Sequence, residues 1–330
     1  MFMGLVGSEM CIRDSPHSDL TSHDTFSSGV PHNTFARLRN EDPIHWTNYK
    51  EGKGFWSITR HHDIAKMIGN TKVFTSEQGI RMEDQTHEEY LARRTFQEID
   101  GTGHRNSRMK VAKAFSGPVI IEFEEKIRSL CSDILDNTLP MIDFDATKHI
   151  ARELPMRMLG RILGLPEEDL PWLVEKGDAL IANTDPDFTD HVLDKLDTNE
   201  FRLMPHNSPA GAELYEYAET LMEKRLKTDN TNSILHMVMQ PAVDGSKLSE
   251  TEFKNFFCQL VAAGNDTTRY SIAAGIHALC HQPELLKQMK NEPTVWETAP
   301  DEIVRWASPV NYFRRTATKD FSIHNKIIKK

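Results

Sequence analysis

The stretch Ser249-Glu-Thr-Glu-Phe-Lys-Asn-Phe-Phe-Cys-Gln-Leu-Val-Ala-Ala-Gly-Asn-Asp-Thr-Thr-Arg-Tyr-Ser-Ile-Ala-Ala-Gly-Ile-His-Ala-Leu-Cys-His281 decides how the chain is read. Ser249 followed three residues later by Glu252 is a capping box, and apolar residues recur at helical spacing from Phe253, Phe256 and Phe257 through Leu260 and Val261 to Ile272, Ile276 and Leu279. Unbroken, the helix from Glu250 to His281 would measure ~48 Å, so it must cross the middle of a large helical domain. Half-way along it, Ala263-Gly264-Asn265-Asp266-Thr267-Thr268 sets a residue without a side chain before a carboxylate and two hydroxyls. A glycine there costs ~1 kcal/mol relative to alanine, and a buried Asp or Thr needs partners. Two readings follow. In one, Gly264 allows close helix packing and the threonines bond back to the preceding turn. In the other, a flat ligand approaches the backbone at Gly264 and an acid–alcohol pair relays protons to it.

Outward from this helix, helical periodicity predicts segments over 104–115, 118–137, 148–163, 167–182, 208–227, 232–240, 283–291 and 295–307, with prolines marking the breaks. Strand character is confined to the two ends. Ile44–Tyr49 and Phe55–Thr59 flank the turn Gly52-Lys-Gly54, and Val310–Arg314 and Phe321–Ile328 follow the last helix. A short helix is expected from His62 to Ile68, and a long, mobile loop from 79 to 100, interrupted by a helical turn near Glu88–Phe96 and of the kind that covers a site. The fold class is mainly α: one large helical domain over 43–330, with a small β-sheet region assembled from both ends of the chain. Residues 1–15 read as a non-native leader outside the fold, and 16–42, rich in Ser, His, Thr and Asp, as a mobile tail. The chain stops directly after a strand, which points to a domain incomplete at its C-terminus.

Composition removes several function classes. The 330 residues carry 39 Lys+Arg against 49 Asp+Glu, and a formal charge of −10 argues against a nucleic-acid binder held by phosphate contacts. No stretch offers the ~18–20 apolar residues of a membrane span, and a mean hydropathy of −0.51 agrees. The opening heptad lacks a basic flank and a cleavage site, so it is no signal peptide. Cys11, Cys131, Cys258 and Cys280 are scattered, without C-x-x-C, which fits core thiols in a reducing cytoplasm.

Other candidates are ambiguous singly. Glu302 and Arg305 stand at i and i+3 on a helix expected to begin at the cap Thr298. Apolar Ile303, Val304 and Trp306 beside them, and Pro309 soon after, argue that the pair is buried. His104 and Arg108 lie one turn apart with Lys110 and Lys113, and no acid falls between 104 and 113, so the stretch is a solvated basic face or an anion site. His277 and His281 have a zinc helix's spacing but Ala278 replaces its glutamate, and no metal site is expected. Gly101-Thr-Gly103 fails the dinucleotide fingerprint at Asn106.

Taken in order, Ala263-Gly-Asn-Asp-Thr-Thr268, Glu302-x-x-Arg305 and Phe313-x-Arg315-x-Ala317 with Asp320 resemble the cytochrome P450 superfamily of haem-thiolate monooxygenases, in its soluble bacterial form, from about Pro43 to Lys330. The resemblance implies a haem b cofactor beneath the long helix, with Ala263 and Gly264 giving room for porphyrin and dioxygen. Asp266 and Thr267 would deliver protons during dioxygen cleavage. His104, Arg108 and Arg315 would hold the haem propionates. Glu302 and Arg305 would form a buried pair supporting the haem core, and Val310 would face the substrate.

It further implies hydroxylation of a hydrophobic small molecule, of steroid side-chain, branched-lipid or terpenoid class. Dioxygen would be the oxidant, with electrons from NAD(P)H through a reductase and a ferredoxin-type partner docking near the basic helix 104–113. Peroxide-driven or dehydrating chemistry is the enzymatic rival, against which Asp266-Thr267 speaks; a cofactor-free helical scaffold is the other. One departure is large. The family's iron ligand is a cysteine in a Phe-x-x-Gly-x-x-x-Cys-x-Gly loop, and none of the four cysteines has that setting, so the chain as it stands supplies no metal ligand and is expected to be inactive alone.

Overall fold

Backbone hydrogen bonding joins the two ends of the chain in one five-stranded sheet. A computed structural model describes residues 2–6, 19–27, 29–49, 52–182, 185, 199–225, 233–242 and 244–330, in two compact units, 1–105 with 310–330 and 106–309. In the first unit the strands β1 (Phe2–Val6), β2 (Ile44–Thr47), β3 (Phe55–Ile58), β4 (Phe74–Thr75) and β5 (Tyr312–Ala317) lie in the order β2-β3-β1-β5-β4. The predicted hairpin β2–β3 pairs Trp46 with Trp56, whose rings meet edge to face at 5.2 Å. Its turn needs Gly54: φ is +76°, and a Cβ there would sit 2.9 Å from the Thr47 carbonyl.

Two expectations for the N-terminus are corrected. Phe2–Val6, set outside the fold by the sequence reading, runs antiparallel to β3 and parallel to β5, because β3 and β5 each present an edge that it fills. The tail 16–42 contains α1 (His23–Ser27) and α2 (His32–Glu41), and Leu38 is fully buried in a cluster with Leu20 and Phe55. Its polar composition hid the few apolar anchors that order it. Beyond Leu20, the described part of this tail is thus packed rather than mobile.

The loop expected to be mobile over 79–100 is ordered as well. Thr86 and Glu89 cap α4 (His87–Arg93) reciprocally, and a 3₁₀ turn follows at Phe96–Glu98. The Asp100 carboxylate then accepts bonds from Thr75 Oγ1 at 2.5 Å and the Ser76 amide at 3.1 Å.

The hairpin β6 (Phe321–Ile323) and β7 (Lys326–Ile328) turns through His324 and Asn325 at positive φ. It is tied to the body of the unit by His324 Nε2 2.9 Å from Asp63, on α3 (His61–Ile68), and by Lys326, which pairs with Asp42 and donates to the Ile44 carbonyl at 2.7 Å. Burial pushes the Asp42 carboxyl up, but Lys326 and His45 outweigh it and hold it below its ordinary value. A depressed carboxyl contributes stability that is present above its unfolded pKa of ~3.9 and is lost as pH falls through the folded value. Asp42→Asn is therefore expected to flatten the acid limb of the first unit's urea midpoint measured from pH 6 downward, with little change near neutrality in that slope.

The second unit is helical. It contains α6 (Gly117–Ile121), α7 (Glu124–Thr138), α8 (Glu153–Leu163), α9 (Leu170–Ile181), α10 (Pro209–Arg225), α11 (Ile234–Met239), α12 (Glu250–His281), α13 (Pro283–Asn291) and α14 (Val295–Ala307), while α5 (Gly101–Ala112) enters it from the first unit. The predicted helix 118–137 is divided at Glu122 and Phe123, and a π turn over Thr147–Ala151 precedes α8. Helix α14 begins a turn before the expected cap, after Thr294, and carries Pro300 inside it. Residue 232 and residues 226–227 of the predicted helices fall outside the described residues. The N-terminal half of α12 is the core: Phe253, Phe257 and Val261 are buried with Met156, Leu173 and Leu214 of α8, α9 and α10. The mainly α fold with a small β region is as expected, and among the described residues no helix is long and apolar enough to cross a membrane.

Candidate active site

The capping box that starts α12 is present: Ser249 Oγ accepts from the Glu252 amide at 3.2 Å, and Glu252 accepts from the Ser249 amide at 2.8 Å. At the centre of the helix a Cβ added to Gly264 would meet only Leu159, at 3.4 Å, an ordinary contact. Helix packing therefore does not require this glycine. The tight crossing lies three turns on, at Gly275, where Ile303 of α14 would be 3.2 Å from a Cβ. Thr267 bonds back along the helix, its Oγ1 donating to the Ala263 carbonyl at 2.8 Å. Ala263 is exposed, and Gly264, Asp266 and Thr267 are half-exposed, so the four residues lie together along an accessible stretch of α12.

Asp266 is not free. It pairs with Arg269 one turn on, and Arg269 donates at 2.7 Å to Asp178 of α9, a buried carboxylate. Asp178 also accepts from Arg152 Nε at 2.7 Å and from Asn265 Nδ2 at 3.0 Å. Asn265 is fully buried, and its Oδ1 has no hydrogen-bond partner among the described residues. A Cβ on Gly177 would sit 3.0 Å from the Asn265 amide, so the two helices meet closely here. Sequence reasoning missed this chain of charges from Arg152 through Asp178 and Arg269 to Asp266. The available signal was a lone Asp178 on a helix face otherwise formed by Val174, Gly177 and Leu180.

The cationic candidates divide between the units. In the first, His104 Nδ1 lies 2.6 Å from the Phe96 carbonyl, and Arg315 donates to the Arg314 carbonyl at 2.8 Å without an ion pair among the described residues. Burial lowers the Arg315 pKa from its ordinary value, and the charge of Asp100 opposes this. Val310, half-buried, precedes β5. In the second unit Arg108 is exposed, but Lys110 has left the basic face for Glu252, 3.0 Å away. Burial pushes the Glu252 carboxyl up, and the Ser249 amide and Lys110 together hold it low.

The expected burial of Glu302 and Arg305 is overturned. They pair at 2.6 Å but are 61% and 68% exposed, and Val304 and Trp306 beside them are half-exposed. Only Ile303 and Ala307 of that stretch turn inward, onto α12 in the case of Ile303, so the apolar neighbours signal a second face of α14 instead of burial of the pair. The His277 and His281 rings lie 4.3 Å apart, tilted by 36°, and no cluster of three potential metal ligands occurs among the described residues.

No protein-family model matches the chain. Individual relatives do. A steroid C26-monooxygenase of Mycolicibacterium smegmatis is 31% identical over 312 residues, covering 91% of this chain and 69% of that protein. Cytochrome P450 126 of Mycobacterium tuberculosis is 31% identical over 322 residues, covering 92% of this chain and 73% of the relative. The chain belongs to the cytochrome P450 superfamily. Among solved structures, a Mycobacterium marinum cytochrome P450 in complex with pseudoionone superposes with a TM-score of 0.82 at 29% identity, over 96% of this chain and 77% of that one. The P450 fold expected from the three motifs is thereby established, and with it an oxidoreductase family of oxygen-incorporating enzymes.

The residues present fit the P450 cofactor in part. In the second unit the accessible stretch at Gly264, with space for a Cβ that the fold does not fill, suits the approach of a flat ring, and Arg108 has no carboxylate partner among the described residues; in the first unit the same holds of Arg315. The axial thiolate is not supplied by the described cysteines. Burial pushes the Cys258 thiol up to about 12 and raises that of Cys131, and Cys280 lies exposed near the end of α12. A thiol held protonated is a poor iron ligand.

Proposed function

We propose that this cytochrome P450 is the haem b-dependent oxygenating part of a monooxygenase that hydroxylates a hydrophobic small molecule of steroid side-chain, methyl-branched-lipid or terpenoid class. The observation that carries the reading is Gly264, a glycine in the middle of a 32-residue helix that internal packing does not require, beside Asp266 and Thr267. Haem, when bound, would supply dioxygen activation. On this reading Ala263 and Gly264 face the ring, His104, Arg108 and Arg315 take the propionates, and Val310 borders the substrate. Thr267 supplies the hydroxyl of the relay, and Asp266 stands one residue before it as the relay's carboxylate. Glu302 and Arg305, paired on an exposed face of α14, support the cofactor-binding core.

The substrate class rests on the relatives: the steroid C26-monooxygenase, a methyl-branched lipid omega-hydroxylase of Mycobacterium tuberculosis at 30% identity over 302 residues, and the structure with pseudoionone. Electrons come from NAD(P)H through a reductase and a ferredoxin-type partner. Arg105 and Lys113, both exposed, are the cations of the 104–113 stretch left to an acidic partner once Lys110 is paired to Glu252 and Arg108 is given to a propionate. Free Cys131, Cys258 and Cys280 suit a cytoplasmic protein.

The test is the reduced, carbon-monoxide-bound spectrum of the chain joined to a Phe-x-x-Gly-x-x-x-Cys-x-Gly loop and the segment around it. A thiolate-type Soret band is expected, and its absence sinks the reading. In that protein Thr267→Ala is expected to keep haem and substrate binding while shifting NAD(P)H consumption from product to hydrogen peroxide by about a hundredfold, the lower end of what a positioned proton-transfer group contributes. Unchanged coupling would remove Thr267 from the relay.

A further inference from the structure

We infer that Arg314 is a positioning residue that moors the 78–84 loop to the strand carrying Arg315. The two arginines are neighbours on β5, so they point to opposite faces of the sheet. Arg315 is a cation of the proposed cofactor site. Arg314, only 3% exposed, turns to the other side and grips the loop at alternate residues. Its backbone amide donates to the Ile80 carbonyl at 2.8 Å. Its guanidinium donates to the Gln78 carbonyl at 2.5 Å, the Met82 carbonyl at 3.0 Å and Asp84 Oδ1 at 2.9 Å. Two places along the strand, Tyr312 Oη accepts from the Met82 amide at 3.2 Å.

Gly79 stands at φ +93°, and a Cβ there would sit 3.2 Å from the Arg314 guanidinium, so the loop passes close over the fork. The loop has no ladder of its own. Its backbone polar groups find partners on β5, which is fixed by β1 and β4 on its two sides. Gln78, Asp84, Gln85, Lys53, His87 and Arg314 are among the walls of a cavity of about 450 Å³ in this unit, so releasing the loop opens that cavity. Lysine cannot replace Arg314, because one ammonium cannot reach two carbonyls and a carboxylate in fixed directions as a planar fork does. The functional weight of the mooring rests on the proposed function, with 79–100 read as a segment that covers a site. The mooring itself does not.

The experiment uses the chain itself. Trypsin cuts after Arg81, inside the moored segment. Arg314→Gln and Arg314→Lys are both expected to speed native-state cleavage at Arg81 at least about tenfold. Tyr312→Phe, the milder change, is expected to raise hydrogen exchange of the Met82 amide and leave its neighbours as they were. The urea midpoint, followed by the fluorescence of the tryptophans in the same unit, separates local release from general weakening. Faster cleavage with the wild-type midpoint supports the mooring. Cleavage and exchange that do not change, or that rise only in step with a lowered midpoint, overturn it. Should an Arg314 variant not fold, the Met82 exchange of Tyr312→Phe decides alone, in either direction. Absence of the Soret band in the extended protein would defeat the haem reading and leave this result untouched.

Discussion

Asp178→Ala is expected to lower the stability of the helical unit by about 3 kcal/mol, the lower end of the ~3–5 kcal/mol that breaking a buried ion pair costs. The carboxylate is 4% exposed and serves three donors: Arg152, Arg269 and Asn265. Removing it leaves a buried carboxamide on Asn265 with neither end paired, and two guanidiniums stripped of the carboxylate they share, with only Asp266 beside Arg269 and Glu153, 3.6 Å away, beside Arg152. Arg152 and Arg269 are 35% and 22% exposed, so water recovers part of their solvation, which is why the lower end applies. Asp178→Asn keeps an acceptor for Asn265 and should cost less. Urea unfolding at constant m-value measures both. The double variant Asp178→Ala with Arg269→Met should be more stable than Asp178→Ala alone, because the second change removes one stranded charge; a strictly additive result would deny the network. Loss of Asp178 also frees Arg269 to neutralise Asp266 alone, so the same variant tests whether α9 sets the electrostatics of the proposed relay.

What was legible in the chain follows from how local each signal is. The helix from Glu250 to His281 starts at its capping box, and it and those over 283–291 and 295–307 stop just before a proline, because a capping box or a proline acts on its own turn; only the cap expected at Thr298 lies inside its helix. The β2–β3 hairpin and the joining of both chain ends in one sheet were readable for a similar reason, since alternating aromatic and β-branched residues occur nowhere else. The exposure of Glu302 and Arg305 was not readable. Val304 and Trp306 are apolar, and an apolar neighbour does not reveal which part of a protein will cover it. Asp178 was invisible as a site because its three partners come from 26, 87 and 91 residues away. The 79–100 loop looked mobile for want of apolar residues, while its order comes from Arg314 and Asp100, whose side chains bond backbone at long range.

Gly211→Ala is expected to destabilise the helical unit by about 2–3 kcal/mol, at the upper end of overpacking. A Cβ at Gly211 would lie 2.2 Å from the carbonyl oxygen of Pro205. That atom is backbone, in a turn where His206 and Asn207 already hold φ of 60° and 50°, so it cannot yield without moving strained chain. Gly160→Ala offers the control. Its Cβ would also come within 2.2 Å of a neighbour, but the neighbour is a terminal methyl of Leu170, which a rotamer change can withdraw. Gly160→Ala should therefore cost clearly less, and equal losses would show that the Pro205 turn is softer than its geometry implies. At Gly264 the sign reverses: only Leu159 is near, so alanine should gain up to ~1 kcal/mol of helix propensity. Three glycines in helices thus answer to three different demands: backbone, side chain, and none that the fold itself imposes. A glycine that the fold would be more stable without is explained by something the fold must admit, which is the physical content of proposing that a ligand lies against α12.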